Sequence, residues 1–152
     1  MADRYSVTGS QDVTTGTPGD TSLAIVAATT KRGRIYDFML STGGTPADNA
    51  IQWLARRFSA VGTEGSGVTP APLDPAAAAS LLDGAENHSA EPTYTSATEM
   101  FDQIINQRAT FRWVAAPGGE LVIPATSGNG IGFTAFHASY TGSAEVTAHF
   151  EE

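Results

Sequence analysis

Glycine and proline cut this chain into short pieces. They recur roughly every 8 to 20 residues, and the segments between them are rich in small and β-branched side chains. Such punctuation leaves little room for a long helical period, and it points to an all-β chain of short strands joined by tight turns. With 152 residues the chain has the length of one ordinary domain, and no cysteine is present to hold it by disulfides. The core must then come from two packed sheets.

The strands can be placed in order. RYSVT (residues 4–8) reads as a short arm, with a Gly/Thr-rich linker after it, so that residues 1–20 are set apart from a single β-sandwich domain over 21–152. SLAIVAAT (22–29) is apolar on both faces, as a central strand would be. In RIYDFMLS (34–41), Tyr36, Phe38 and Leu40 share one face, with Ile35, Asp37 and Met39 on the other. AIQWLARRFSA (50–60) and TEMFDQIINQ (98–107) fit both a strand and the i, i+3, i+4, i+7 pattern of a helix. For the first of these, the Gly-rich turns on both sides and the neighbouring strands favour a strand.

One short helix is expected inside the long connection 62–92. In LDPAAAASLLDG, Asp74 would cap it, Pro75 would start it and Gly84 would stop it. Further on, FRWVA, ELVIP, GIGFTAFHASY and SAEVTAHFEE read as strands, with PGG and ATSGNG as turns and the last two strands as a hairpin about Thr141 and Gly142. In the final strand Ala144, Val146, Ala148 and Phe150 face one way and the polar residues the other. The expected architecture is an antiparallel β-sandwich, jelly-roll-like, with one short helix.

Chemistry-bearing motifs are few. GNGIGF places glycines at 128, 130 and 132, but a dinucleotide-binding glycine motif needs a helix after it, and here a strand follows. His88, His137 and His149 show no metal-ligand spacing. His149 falls on the polar face of its strand, His137 reads as partly buried, and His88 lies in a loop near Glu86 and Glu91. No nucleophile elbow, zinc-protease helix or phosphate loop is present. No cofactor, metal or enzymatic activity is expected.

A net charge of −8 repels nucleic acid. No apolar run approaches the roughly 20 residues that span a bilayer, and the first residues lack a secretion-signal pattern. Synthesis in a cytoplasm is the expectation, with neither nucleic acid nor membrane as partner. Seven of the eight basic residues are Arg, the residue suited to partly dehydrated protein contacts. Arg32, Arg34, Arg56 and Arg57 are accordingly candidate interface residues, as are Arg4, Tyr5 and Val7 on the N-terminal arm. Arg108 and Arg112 flank the aromatic pair Phe111 and Trp113.

GTPADNA (44–50), NQRATFRWVA (106–115), GELVIPA (119–125) and HASYTG (137–142) resemble segments of the β-sandwich decoration, or cement, proteins of tailed-bacteriophage heads. That resemblance implies a virion structural protein on the outer surface of a capsid, with the major capsid protein as partner and a homo-oligomer, first a trimer, as its assembly. Under it, the N-terminal arm would dock on a neighbour as an added strand. The competing expectation is a tail- or vertex-associated adhesin module that binds host glycans through exposed Trp53, Trp113, Tyr94 or Tyr140.

Overall fold

A computed structural model describes residues 2–13, 19–136 and 140–152. The expectation for His137 falls outside the described residues, as do part of HASYTG and residues 14–18 of the linker. The described chain forms two antiparallel sheets packed face to face, with no helix. The sandwich that the sequence indicates is present.

The first sheet has the order β10-β3-β12-β1-β6, with β9 also on the outer edge of β3. Its strands are β1 (Arg4–Val13), β3 (Gly33–Thr42), β6 (Ala71–Pro72), β9 (Phe111–Val114), β10 (Leu121–Ile123) and β12 (Gly142–Glu151). The second has the order β5-β7-β2-β11-β4-β8. It contains β2 (Asp20–Val26), β4 (Ala50–Ala60), β5 (Ser66–Val68), β7 (Asp83–Glu86), β8 (Thr93–Asn106) and β11 (Gly130–Phe136).

Both ambiguous segments are strands: β4 pairs with β8 from Ala50↔Asn106 to Ala60↔Thr93. In β4 the helical spacing fits a strand whose two faces are both covered, whereas β8 leaves its outer face open, with Ile104 exposed. Ile51, Trp53 and Ala55 face the inter-sheet core, while Leu54 and Phe58 are buried on the other side. β2 shows the same double burial. Leu23 and Ile25 enter the main core, and Ala24 joins a second cluster with Phe58 and Ala85, flanked by Val26, Val61 and Tyr94.

Phe38 sits at the aromatic centre of the main core, with ring centroids of Trp113, Phe133 and Phe101 at 5.0, 5.0 and 5.1 Å. β12 alternates as its sequence predicts, with Ala144, Val146, Ala148 and Phe150 fully buried. On β3 the predicted alternation fails part-way. Ile35 is buried together with Phe38 and Leu40, because a bulge opposite His149 and Phe150 shifts the register and reverses which side points inward.

Residues 4–13 are no arm. All ten residues of β1 pair with β12, from Arg4↔Glu151 to Val13↔Gly142, and Tyr5 stacks on Phe150 at 5.4 Å. The apolar alternation Tyr5, Val7 belongs to a core strand, and both side chains are buried.

Nor does the predicted helix form. Asp74 does cap a turn, accepting from Ala76 N at its side chain (2.9 Å) and from Ala77 N at its carbonyl (3.0 Å). Beyond that turn, tertiary contacts take the groups a helix needs. Tyr5 donates its hydroxyl to the Ala78 carbonyl at 3.0 Å. The Glu152 carboxylate accepts from Leu81 N (2.9 Å) and Leu82 N (3.3 Å), and Leu82 is fully buried. One turn is the unfavourable nucleus of a helix, and nothing here rewards extending it.

Two turns also differ from expectation. β11 and β12 belong to different sheets, so Thr141 and Gly142 carry the chain across the sandwich rather than closing a hairpin. β9 and β10 both run antiparallel to β3 along the same edge. The PGG turn, with Gly118 at φ 79°, therefore lifts a loop out of a single edge instead of reversing the chain.

In β8, Arg56 faces Glu99 while Phe58 faces Tyr94, so residues 95–98 bulge out of the ladder. Ala97 holds φ 57° there, a left-handed conformation that costs a non-glycine residue roughly 1–2 kcal/mol. Ala97→Gly is expected to raise stability by about 0.5–1 kcal/mol after its own added unfolded-state entropy. Urea unfolding at unchanged m-value would measure it, and a loss of stability would refute the strain.

Candidate functional site

The outward face of the first sheet carries a row of polar side chains set by register. Ser6, His149 and Asp37 lie directly opposite one another on β1, β12 and β3. Asp37 is only 3% exposed. It accepts two bonds from Arg112 on β9, from Nε at 3.0 Å and Nη2 at 2.6 Å, and its Oδ2 lies 3.1 Å from His149 Nδ1. The Arg112 hydrogen bonds hold the Asp37 carboxyl below its ordinary value of 3.8, opposed by its burial and aided by His149.

Because the folded carboxyl stays charged to lower pH than the unfolded one, its stabilisation is complete above the ordinary aspartate range. It fades as pH falls through the folded value. Asp37→Asn is expected to cost about 1–3 kcal/mol at neutral pH, since Asp37 is buried against the Arg112 guanidinium. The gap between variant and parent should narrow below about pH 4. Urea midpoints at pH 7 and pH 3 would check this, and an unchanged gap would refute it.

A second polar group covers the outer face of the other sheet. Arg56 on β4 lies 4.0 Å over the Tyr94 ring and 5.3 Å over Phe136, and donates to Thr134 Oγ1 at 3.2 Å. The hydroxyls of Thr21 and Tyr94 are 2.6 Å apart, and Glu91 accepts from both the amide (3.0 Å) and the hydroxyl of Thr21. Arg57, on the inner side at the end of β4, reaches across the sandwich to the Val122 carbonyl at 2.7 Å. Both arginines are thus tied within the fold.

The remaining candidates are dispersed. Arg32 and Arg34 are exposed, and Arg34 shares a shallow hollow with Arg32, Ala2, Glu151 and Glu152. Arg4 is exposed beside Glu151 at 3.8 Å and over the Tyr36 ring at 5.3 Å. Tyr5 and Val7 present no surface. His88 is buried, which pushes its imidazole below the ordinary histidine range. Glu86 turns instead to Ser10 N at 2.6 Å, tying β7 to β1. Among the described residues no group of three or more His, Asp or Glu side chains is placed to hold a metal.

Of the four aromatic candidates for sugar stacking, Trp53 and Tyr140 are buried. Trp113 stacks on Phe38, and Tyr94 lies beneath Arg56. No family model, no curated protein and no solved structure matches the chain.

Two of the quoted motifs meet. Gln107 is buried, donating its backbone N–H to the Asn49 carbonyl (2.9 Å) and accepting from Ala47 N at its side-chain Oε1 (3.1 Å), while Arg108 Nε donates to the Pro46 carbonyl (3.2 Å). GTPADNA is therefore a loop clamped onto NQR.

Sequence reasoning missed the excursion between β6 and β7. Leu73 and Leu81 are 51% and 52% exposed, and Pro72, Ala76, Ala78 and Ala79 are exposed with them. The excursion is nonetheless anchored, by Leu73 N to the Arg4 carbonyl (2.8 Å), by Tyr5 to Ala78 and by Glu152 to Leu81 and Leu82. Its signal in the sequence, two leucines around an alanine run, was absorbed by the helix reading.

Proposed function

We propose that the protein is a virion structural protein that binds the exterior of a phage capsid and stabilises the shell by bridging its subunits. The observation that carries this reading is the anchored apolar excursion. Leucines held in the open on a fixed backbone lose little freedom when a partner covers them, which is how a preorganised protein-docking surface gains affinity. The motif resemblance supplies the partner, the major capsid protein. Binding the assembled shell in preference to its free subunits stabilises the shell by mass action. With β1 inside the sheet, the grip falls to this excursion in place of an N-terminal arm.

The adhesin alternative gains no support from the four aromatic residues that would have formed its platform. The test uses shells that lack this protein, with bound copies counted per capsid subunit. Saturation at a fixed ratio to the capsid subunits is expected. Leu73→Asp/Leu81→Asp should weaken binding at least tenfold, since covering one leucine contributes about 1.5–3 kcal/mol, while the urea midpoint stays unchanged. A handful of copies per particle, or full affinity in the double variant, would overturn the proposal.

A further inference from the structure

We propose that the chain pairs with a second copy of itself through the free edge of β8, antiparallel and with the two-fold axis at Gln103. Among the described residues β8 pairs only with β4. Its first half is blocked by the 95–98 bulge and by a further register shift at Met100, between Arg56↔Glu99 and Ala55↔Phe101, which leaves residues 101–106, FDQIIN, as an open edge. Natural edges are usually guarded by lysine, proline or a bulge. Residues 101–106 have none of them, and Ile104 stands 61% exposed there.

Two-fold pairing within a continuous sheet keeps core-side residues opposite core-side residues, so the axis must pass through a residue rather than between two. Phe101, Gln103 and Ile105 lie opposite Ala55, Trp53 and Ile51 and share their core side, while Asp102 and Ile104 face outward. With the axis at Gln103, Phe101 meets Ile105 of the second copy twice over, Asp102 meets Ile104, and the two Gln103 amides meet each other. Each is a favourable or neutral cross-strand pair.

Moving the axis to Asp102 sets two carboxylates face to face. Moving it to Ile104 leaves Phe101 opposite Gln107, which is buried beyond the strand's end, and so without a strand partner. In the single chain Gln103 Nε2 donates to the Ile104 carbonyl beside it at 3.1 Å, a local bond that pairing replaces. Phe111 and Trp113, half-buried on the neighbouring edge of the first sheet, extend the apolar seam.

The paired stretch, residues 101–105, is about 17 Å long at ~3.4 Å per residue. That makes a contact smaller than the roughly 800 Å² per partner of a standard interface, so the dimer is weak and depends on concentration. Each copy carries a net charge of −8. Screening their mutual repulsion should therefore strengthen the dimer as salt rises.

Sedimentation velocity of the full chain should show a monomer–dimer equilibrium that tightens between 0.05 and 0.5 M NaCl, on the order of one Debye-length regime to another. Ile104→Lys should weaken it at least tenfold, on the order of 1.4 kcal/mol, with unchanged circular dichroism. The chain has no cysteine, so Gln103→Cys provides a separate readout. At the axis the two Cα atoms would sit about 4.5–5.5 Å apart, within disulfide range. Mild oxidation should convert most of this variant to covalent dimer and leave Ser127→Cys, on an exposed turn, largely monomeric. A monomer up to millimolar concentration, a trimer, or equal cross-linking at 103 and 127 would overturn the proposal.

Discussion

Replacing Phe38 by alanine is expected to lower the unfolding free energy by about 3–5 kcal/mol, the range for emptying a large aromatic site in a packed core. Phe38 has no exposed surface and touches three other rings from three different strands, on β8, β9 and β11. Those rings cannot all close on the vacancy, because Trp113 and Phe101 are fixed by their own ladders to β3 and β4. A urea titration followed by tryptophan fluorescence would measure the loss. A cost below about 1.5 kcal/mol would mean that the neighbours collapse into the space and that the ring cluster is softer than its geometry indicates.

The second large effect concerns GNGIGF, whose three glycines have three different causes. A methyl group on Gly130 would press into the Ile25 carbonyl and the Phe58 ring, far inside van der Waals contact. The carbonyl belongs to β2, which pairs with β11 at this point, so it cannot retreat without breaking the ladder. Gly130→Ala is therefore expected to cost about 2–3 kcal/mol or more.

At Gly132 the same methyl would meet the Tyr94 hydroxyl, a side-chain tip that can swing away at the loss of its bond to Thr21. A smaller cost, about 1 kcal/mol, is expected there. Gly128 has nothing near it and is needed only for its φ of 78°, so alanine there costs about 1–2 kcal/mol of backbone strain. Thermal unfolding of the three variants would rank them, and a Gly130→Ala protein as stable as Gly132→Ala would contradict the packing argument.

Where side-chain alternation alone decides the structure, the sequence was legible. β12 reads directly because one of its faces is wet, and β2 because both of its faces are apolar. β4 was legible as a strand only through its turns, and β8 stayed open between strand and helix, since the apolar spacing of both also fits a helix. What escaped depends on contacts between residues distant in the chain. The reversal of facing on β3 comes from a bulge whose cause is the partner strand. The single turn at Asp74 fails to become a helix because Tyr5 and Glu152, some 70 positions away in either direction, claim its backbone groups.

The candidate interface residues divide in the same way. Arg4, Arg32 and Arg34 are exposed as expected, whereas Tyr5 and Val7 are core and Arg56 and Arg57 make internal bonds. Local sequence does not distinguish an arginine that faces solvent from one laid across a tyrosine ring contributed by another strand. Asp37 escaped for a related reason: its two side-chain partners come from β9 and β12, far along the chain.

The lengths of the sheet edges bear on growth as well as on pairing. The second sheet ends in β8 on one side and in the three-residue β5 on the other, while the first ends in the two-residue β6 and in an edge interrupted between β9 and β10. Among the terminal strands of the described residues, β8 alone is long enough to recruit another strand along its length. Once two copies have used it against each other, neither keeps a comparable site at the far end. Association therefore terminates instead of elongating, and a chain with an exposed edge strand is spared a route into fibrils.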